Sequence, residues 1–211
     1  MATADDPSAI DVFINCPFDQ VYAPIFNALI FAIYACGFRA RSTRELDDAG
    51  QTRIDKLFTL IHECRYGVHD LSRTELDDVH HLPRFNMPLE LGVFLGAKRY
   101  GSAAQKAKRL LILDTESFRY QRFVSDLAGM DIHAHGGDPR RALAETRDWL
   151  ANVSRRVLPS AERVTRLYEA FLNDLPAMAG KLEFDSTRLP YVDFERLVIG
   201  WLLEAPPAQS P

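Results

Sequence analysis

The sequence predicts an α/β protein in which five parallel strands form a sheet with helices on both faces. Short apolar runs alternate with segments of helical periodicity over residues 11–153, and this alternation is typical of strands joined by helical crossovers. Beyond Pro159 the alternation stops, and two helical segments follow with no strand between them. We therefore expect an α/β domain over residues 1–157 and a C-terminal helical extension over residues 158–211.

Five apolar runs, each bounded by turn-forming residues, are the predicted strands. They cover residues 11–14, 38–41, 66–69, 109–113 and 131–134. The first ends at Asn15, the third is closed by Asp70, and the fourth, which is the clearest run in the chain, ends at Asp114. The fifth is short and is stopped by two consecutive glycines.

Segments with helical periodicity separate and follow these strands. They cover residues 22–36, 53–63, 88–100, 118–127, 139–153, 161–182 and 192–203. The first is apolar on most of its sides, which is typical of a buried helix, and it ends at Gly37. The fifth has Asp138 as its cap and Pro139 in its first position. Residues 42–51 and 73–85 are polar and are predicted to be loops.

Composition and charge narrow the class of protein. A chain of 211 residues with 47% hydrophobic content can fill one sizeable core. It has 25 basic and 29 acidic residues, and the resulting net charge of −4 argues against direct nucleic-acid binding. The scattered cysteines Cys16, Cys36 and Cys64 favour a reducing, cytoplasmic compartment. We expect no secretion signal, and no apolar run reaches the roughly 18 residues that a membrane span needs.

The expected ligand site lies at the carboxyl edge of the sheet. We expect a flavodoxin-like strand order, and ligands of such sheets bind beyond the carboxyl ends of the strands. The loops at this edge cover residues 15–19, 41–44, 70–72 and 114–117. A helix that starts near Pro88 brings Glu90 to the same edge, in the first helical turn. There the helix dipole would keep its carboxylate ionised near neutral pH.

Three stretches resemble enzymes that act on N-glycosidic bonds. Val12-Phe-Ile-Asn-Cys-Pro-Phe18 resembles the first strand and loop of nucleoside 2-deoxyribosyltransferases. Pro88-Leu-Glu-Leu-Gly-Val-Phe-Leu-Gly-Ala97 resembles the segment that carries their nucleophilic glutamate. Ile61-His-Glu-Cys-Arg-Tyr-Gly-Val-His-Asp-Leu-Ser72, followed by Glu90, is similar to the strand, serine-containing loop and catalytic glutamate of TIR domains. The resemblance covers residues 11–114.

This resemblance implies a flavodoxin-like fold and an N-glycosidase. An N-glycosidic bond breaks through an oxocarbenium-like transition state, which a fixed carboxylate stabilises or captures covalently. By the resemblance, Glu90 is the nucleophile or cation stabiliser, and Asp70 is a second acid/base or a ribose contact. The substrate would be NAD or a (deoxy)nucleotide, and we expect no separate cofactor. The TIR-like similarity also implies a nucleotide-depleting effector in antiviral defence.

Two departures from the deoxyribosyltransferase pattern shift the expected substrate. Phe13 stands where those enzymes have a tyrosine that binds the glutamate, and Arg84 stands in the region where they have an aspartate for the base. Arginines suit a phosphorylated ligand better than a free nucleoside. The residues expected to bind the substrate are Asn15, Pro17, Phe18, Asp19, Arg41, Arg44, Ser72, Arg84 and Asn86.

Two other functions remain open from the sequence. The replacement of the tyrosine and the aspartate also fits a non-catalytic nucleotide-binding or sensing module. A TIR-like assembly scaffold is the other alternative, with the C-terminal helices as its adhesive surface. The expected partners are therefore a nucleotide or NAD and further copies of this chain, as a homo-oligomer, with neither a membrane nor a nucleic acid.

Simpler explanations exist for the conspicuous side chains. An acidic residue at a helix start, such as Glu90, is a common stabilising placement. Cys16 with His69 would make a nucleophilic pair, but a buried cysteine at a strand end is the simpler interpretation. The pairs His80-His81 and His133/His135 lack the further ligands of a metal site, so we expect no metal.

Overall fold

A computed structural model describes residues 7–46, 48–74 and 84–204, and an all-parallel sheet forms its centre. The strands are β1 (Ser8–Asn15), β2 (Arg39–Arg41), β3 (Cys64–Asp70), β4 (Arg109–Asp114) and β5 (Ile132–Ala134). Their order across the sheet is β2-β1-β3-β4-β5. This confirms the predicted five-stranded parallel sheet in a flavodoxin-like order. β1 and β3 begin earlier than predicted, because Ser8 and Cys64 are paired with each other.

Helices cover both faces of the sheet, as predicted. They are α1 (Ala23–Ala35), α2 (Arg53–Glu63), α3 (Asn86–Tyr100), α4 (Ala103–Lys106), α5 (Pro139–Ser154), α6 (Ala161–Lys181) and α7 (Tyr191–Glu204). The short α4 was not predicted. The helix predicted at residues 118–127 is instead two 3₁₀ turns, because Phe123 and Val124 leave the helical conformation with φ near −133° and −136°. Within the described ranges, no helix is both long and apolar enough to cross a membrane.

The C-terminal helices pack on α1 and share its core. The Phe31 ring of α1 lies 5.2 Å from the Tyr168 ring and 5.3 Å from the Phe171 ring of α6. The Tyr191 hydroxyl of α7 donates a hydrogen bond to Ala40 O of β2 at 2.9 Å. Because α1 contacts the sheet on one side and α6 and α7 on the other, it is apolar nearly all round. The outer side of α7 exposes apolar side chains such as that of Leu203.

Glycine 67 lets α3 lie directly on β3. A Cβ atom on Gly67 would lie 2.7 Å from His69 Nε2 and 2.8 Å from Cε2 of Phe94, so only glycine fits. Phe94 is one helical turn after Glu90 and on the same face of α3. Since Phe94 packs above the middle of β3, Glu90 lies one turn closer to the carboxyl edge of the sheet.

Candidate functional site

Glu90 is the fifth residue of α3 and is not in its first turn. The helix begins at Asn86, two residues earlier than predicted, and its first turn contains no acidic residue. The residue is only 7% exposed, and burial raises the pKa of Glu90 to about 7, against a smaller lowering effect of Arg53. The expectation that Glu90 lies in the first turn is therefore wrong, and burial, which raises its pKa, outweighs any stabilisation of the anion by the helix start.

The Glu90 carboxylate also receives no hydrogen bond from the described part of the chain. Across residues 7–46, 48–74 and 84–204, no side chain or backbone N–H donates to it. Phe13 brings no hydroxyl to this glutamate and packs in a buried cluster with Leu57, Leu60 and Phe94. A buried carboxylate without donors has its negative charge uncompensated, so it favours an incoming positive charge or a proton.

Asn15 ties the end of β1 to β3 and to α3. Its Nδ2 lies 3.0 Å from His69 Nδ1 and donates to Met87 O at 2.9 Å. Met87 belongs to the first turn of α3, three residues before Glu90. With both amide protons used in this way, Asn15 fixes the start of the helix that carries Glu90.

Asp70 is the centre of a buried polar network at the carboxyl end of β3. Its Oδ2 accepts a hydrogen bond from the Tyr22 hydroxyl at 2.6 Å, and its Oδ1 accepts one from the Ser72 N–H at 2.8 Å. His135 Nε2 lies 3.0 Å from Oδ2, although its N–H is poorly aligned as a hydrogen bond. Burial by itself would raise the pKa of Asp70, but contacts with His135, Ser72 and Tyr22 hold it below its usual value.

The next strand end carries a second buried acid, Asp114. Its Oδ1 accepts hydrogen bonds from the Thr115 N–H at 2.7 Å and from Arg119 Nε at 2.8 Å. Arg119 Nη2 also donates to Leu71 O at 2.7 Å, which joins the loops after β3 and β4. Burial raises the pKa of Asp114, and Arg119 opposes this effect. These contacts hold the loops after β3 and β4 together.

A cationic cavity of about 330 Å³ lies between the loop after β1 and the start of α2, and Glu90 is not among its lining residues. Arg44, Arg53 and Lys56 line it, with Phe18 as its aromatic wall and Asp48 as an acidic member. The Arg44 guanidinium lies 5.5 Å from the centre of the Phe18 ring, and Lys56 Nζ donates to Leu46 O at 2.8 Å. Arg53 lines the cavity, and its positive charge also lowers the pKa of Glu90, against the larger opposing effect of burial.

The other residues expected to bind the ligand differ in their exposure to solvent. Arg84 is exposed, and its Nη1 pairs with Asp19 Oδ2 at 2.8 Å near the start of α1. Asn86 is exposed at the start of α3, while Pro17 is buried. Ser72 is buried too, and its hydroxyl has no partner within the described parts of the chain.

Arg41 does not join this group. Its guanidinium binds three carboxylates: Glu45 at 2.6 Å, Asp11 at 3.1 Å and Glu63 at 3.1 Å. Asp11 also pairs with Arg39 and is 1% exposed. The structure therefore places Arg41 in an ion network under β2 and not among the residues that line the cationic cavity.

Neither a cysteine–histidine pair nor a histidine metal site forms among the described residues. Burial raises the pKa of the Cys16 thiol, and the charges of Asp70 and Glu90 raise it further. His69 is bonded to Asn15 and not to Cys16. His133 pairs with Glu145 at 2.6 Å, and the described ranges hold no group of three or more metal-ligating side chains. His80 and His81 lie outside the described residues.

Four residues of the site were not predicted: Arg53, Lys56, Tyr22 and His135. Arg53 and Lys56 are basic residues one turn apart at the start of a predicted helix that follows an edge loop, and this pattern is a usable signal. Tyr22 looks like an ordinary residue at the start of an apolar helix. His135 lies 65 positions after Asp70, so only folding shows their contact.

Comparisons of this chain with protein-family models, with curated proteins and with solved structures found no match. The fold and the site residues define the class: a parallel α/β protein with a buried glutamate on α3 and a cationic cavity at the start of α2.

Proposed function

We propose that this protein is an N-glycosidase that cleaves the N-glycosidic bond of NAD or a (deoxy)nucleotide, with Glu90 as its nucleophile or cation stabiliser. The observation that carries the proposal is the buried Glu90 side chain, which receives no hydrogen bond within the described chain. Its charge interacts with Arg53, which lines a cavity together with Arg44 and Lys56. The resemblance of residues 88–97 to the glutamate segment of deoxyribosyltransferases points to the same chemistry.

The arrangement suits a sugar cation flanked by phosphate. As the N-glycosidic bond breaks, its electron pair leaves with the base and positive charge develops on the anomeric carbon. A carboxylate in a poorly hydrated site stabilises that charge more strongly than it would in water, or forms a bond to the carbon. The arginines and the lysine would hold the phosphate, and Phe18 would pack against a ring of the ligand.

The leaving group favours NAD over an ordinary nucleotide. Both oxygens of Asp70 are occupied by Tyr22, Ser72 and His135, so Asp70 serves to position the site and not to donate a proton. Nicotinamide carries a positive ring nitrogen in NAD and leaves as a neutral molecule, so its departure requires no acid. Such activity would deplete the nucleotide pool, in line with an effector role in antiviral defence.

The direct test is release of the free base from NAD, dNMPs and deoxynucleosides, measured by liquid chromatography. We expect nicotinamide release from NAD and little release from unphosphorylated nucleosides. Glu90→Gln should lower the rate by about 100- to 1,000-fold. Glu204→Gln, which changes an exposed glutamate at the end of α7, is the matched control and should keep full activity. Activity that survives Glu90→Gln would remove the catalytic role of this residue.

A non-catalytic nucleotide-binding module is the second candidate. The observation that favours it is Phe13, which packs beside His69 and brings no hydroxyl to Glu90. In that case NAD or a nucleotide raises the melting temperature, and chromatography of the same samples finds no free base. Arg53→Gln should abolish the shift, because it removes a cation from the cavity. Base release in those samples would contradict this second candidate.

A further inference from the structure

A second cavity, of about 250 Å³, lies behind Phe18, between α1 and the segment that joins α6 to α7. Phe18 and Arg44 line both cavities, and their stacked side chains form the wall between them. The second cavity exists only because the C-terminal helices pack on α1. The proposed glycosidase chemistry assigns it no role.

The interior of this cavity is aromatic. The Phe18 and Phe26 rings meet edge to face with their centres 5.4 Å apart, and the Tyr191 ring lies 6.0 Å from that of Phe26. Phe194 adds a fourth ring to the lining. Tyr191 is held in place by its hydrogen bond to Ala40 O. Rigid rings around an opening offer the faces and edges on which a planar ring packs well.

Polar groups with unused hydrogen-bonding capacity lie in the same lining. The Asn27 amide and the Arg188 guanidinium both line the cavity, and within the described residues neither has a hydrogen-bond partner. Arg188 lies in a hydrogen-bonded turn, in which the Arg188 N–H donates to Asp185 O at 3.0 Å. An amide both donates and accepts, whereas a guanidinium binds anions in a fixed geometry.

We propose that this cavity binds a planar heteroaromatic ring that carries an anionic group, as a nucleotide base with its phosphate does. The ring lies among Phe18, Phe26 and Tyr191, and the Asn27 amide bonds to its edge. Arg188 and Arg44 bind the anion at the mouth. The volume is below the ~300–1,000 Å³ that encloses a drug-sized ligand whole, so the ring is enclosed while the anion stays near the surface.

Two kinds of ligand carry such a ring with an anionic group. One is a separate nucleotide that acts as an effector of the neighbouring site. The other is the far half of a dinucleotide whose scissile half occupies the first cavity, across the wall of Phe18 and Arg44. Only the second kind rests on the proposed function. The binding site itself does not, because none of its lining residues is Glu90.

Isothermal titration of the full chain with AMP tests the proposal. The wild-type protein should bind AMP, and Arg188→Gln should weaken binding about tenfold or more. Ala23→Leu places a larger side chain in the cavity lining and should abolish binding. Arg141→Gln, an exposed arginine on α5, is the matched control and should bind as the wild type does. Glu90→Gln should also bind AMP normally, so failure here and failure of the glycosidase proposal are distinguishable.

The same titrations separate the two kinds of ligand and define the overturning result. Adding NAD to AMP-saturated Glu90→Gln protein should displace AMP if the ligand is half of a dinucleotide, and should leave AMP bound if it is an effector. Either outcome supports the site. Absence of AMP binding at millimolar concentration overturns it. So does AMP binding that Arg53→Gln abolishes while Arg188→Gln and Ala23→Leu leave it unchanged, since AMP then occupies the first cavity.

Discussion

Asn15 Nδ2 donates a hydrogen bond to His69 Nδ1 across 3.0 Å, and this contact fixes the tautomer of the histidine. The same amide nitrogen lies 2.9 Å from Met87 O, which can only accept, so the orientation of the amide is determined. Nδ1 of His69 must therefore accept, and the proton resides on Nε2, against the Phe94 ring. Burial lowers the pKa of His69 to about 3, so the ring stays neutral under ordinary conditions.

Replacing Asn15 should therefore destabilise the protein. Asn15→Leu keeps a similar volume but leaves Met87 O and His69 Nδ1 without their donor. We expect a loss of about 1–3 kcal/mol in the free energy of unfolding, measured by urea denaturation. Asn152→Leu, on the exposed side of α5, should change it by less than about 0.5 kcal/mol. Equal effects of the two substitutions would contradict the role given to Asn15.

The raised pKa of Glu90 should make stability depend on pH. Burial moves this pKa from 4.5 to about 7, so between these values the folded protein binds more protons than the unfolded chain. The contribution of Glu90 to stability is thus present below its unfolded pKa and is lost as the pH rises towards its folded pKa. The shift corresponds to roughly 3 kcal/mol.

The Glu90→Gln variant isolates this effect because glutamine does not titrate. Relative to the wild type, its free energy of unfolding should rise by up to about 3 kcal/mol between about pH 4 and pH 8. The titration of His69 is common to both proteins and cancels. Glu116→Gln, at an exposed position, should show no such trend. A constant difference between Glu90→Gln and wild type across this range would show that Glu90 is well hydrated.

Tyr22→Phe should weaken the Asp70 network in a pH-dependent way. The Tyr22 hydroxyl remains a donor because burial raises its pKa, and Asp70 is held ionised below its usual pKa. Losing a hydrogen bond to a charged group should cost about 1.5–3 kcal/mol at neutral pH. The cost should shrink as the pH falls below the unfolded pKa of aspartate and through that of folded Asp70.

Urea denaturation at about pH 7 and about pH 3 measures this difference. Tyr168→Phe is the matched control, because its hydroxyl makes only a long contact of 3.4 Å with Pro24 O. That variant should lose much less stability at neutral pH. If Tyr22→Phe and Tyr168→Phe behave alike, the Asp70 contact is not the main function of Tyr22.

Gly67→Ala tests the close approach of α3 to β3. The added methyl group would lie within 2.9 Å of ring atoms of His69 and Phe94, so α3 must move away or the rings must shift. We expect a loss of about 1–3 kcal/mol in urea denaturation. Gly96→Ala, in the same helix with open space around it, should instead stabilise by about 0.5–1 kcal/mol. If both substitutions destabilise the protein, α3 is sensitive to any added methyl group, and the close approach at Gly67 is not the cause.

The sequence was sufficient to predict the sheet and most helices, because their signals are local. Apolar runs such as residues 109–113 and the Asp138-Pro139 helix start depend on neighbours within a few positions. It was not sufficient at the start of α3. The predicted start at Pro88 placed Glu90 in the first turn, but the helix already begins at Asn86, where its first turn is bound by Asn15 from β1.

The sequence by itself thus determined the parallel α/β architecture, the position of Glu90 after β3 and the edge at which the polar loops gather. Only the tertiary structure decided which of these groups are free to act. Arg41 is bound by Asp11, Glu45 and Glu63, and Asp70 by Tyr22 and His135. The tertiary structure also sets the pKa of Glu90. The hydration of a side chain depends on the distant segments that cover it and not on its neighbours in the chain.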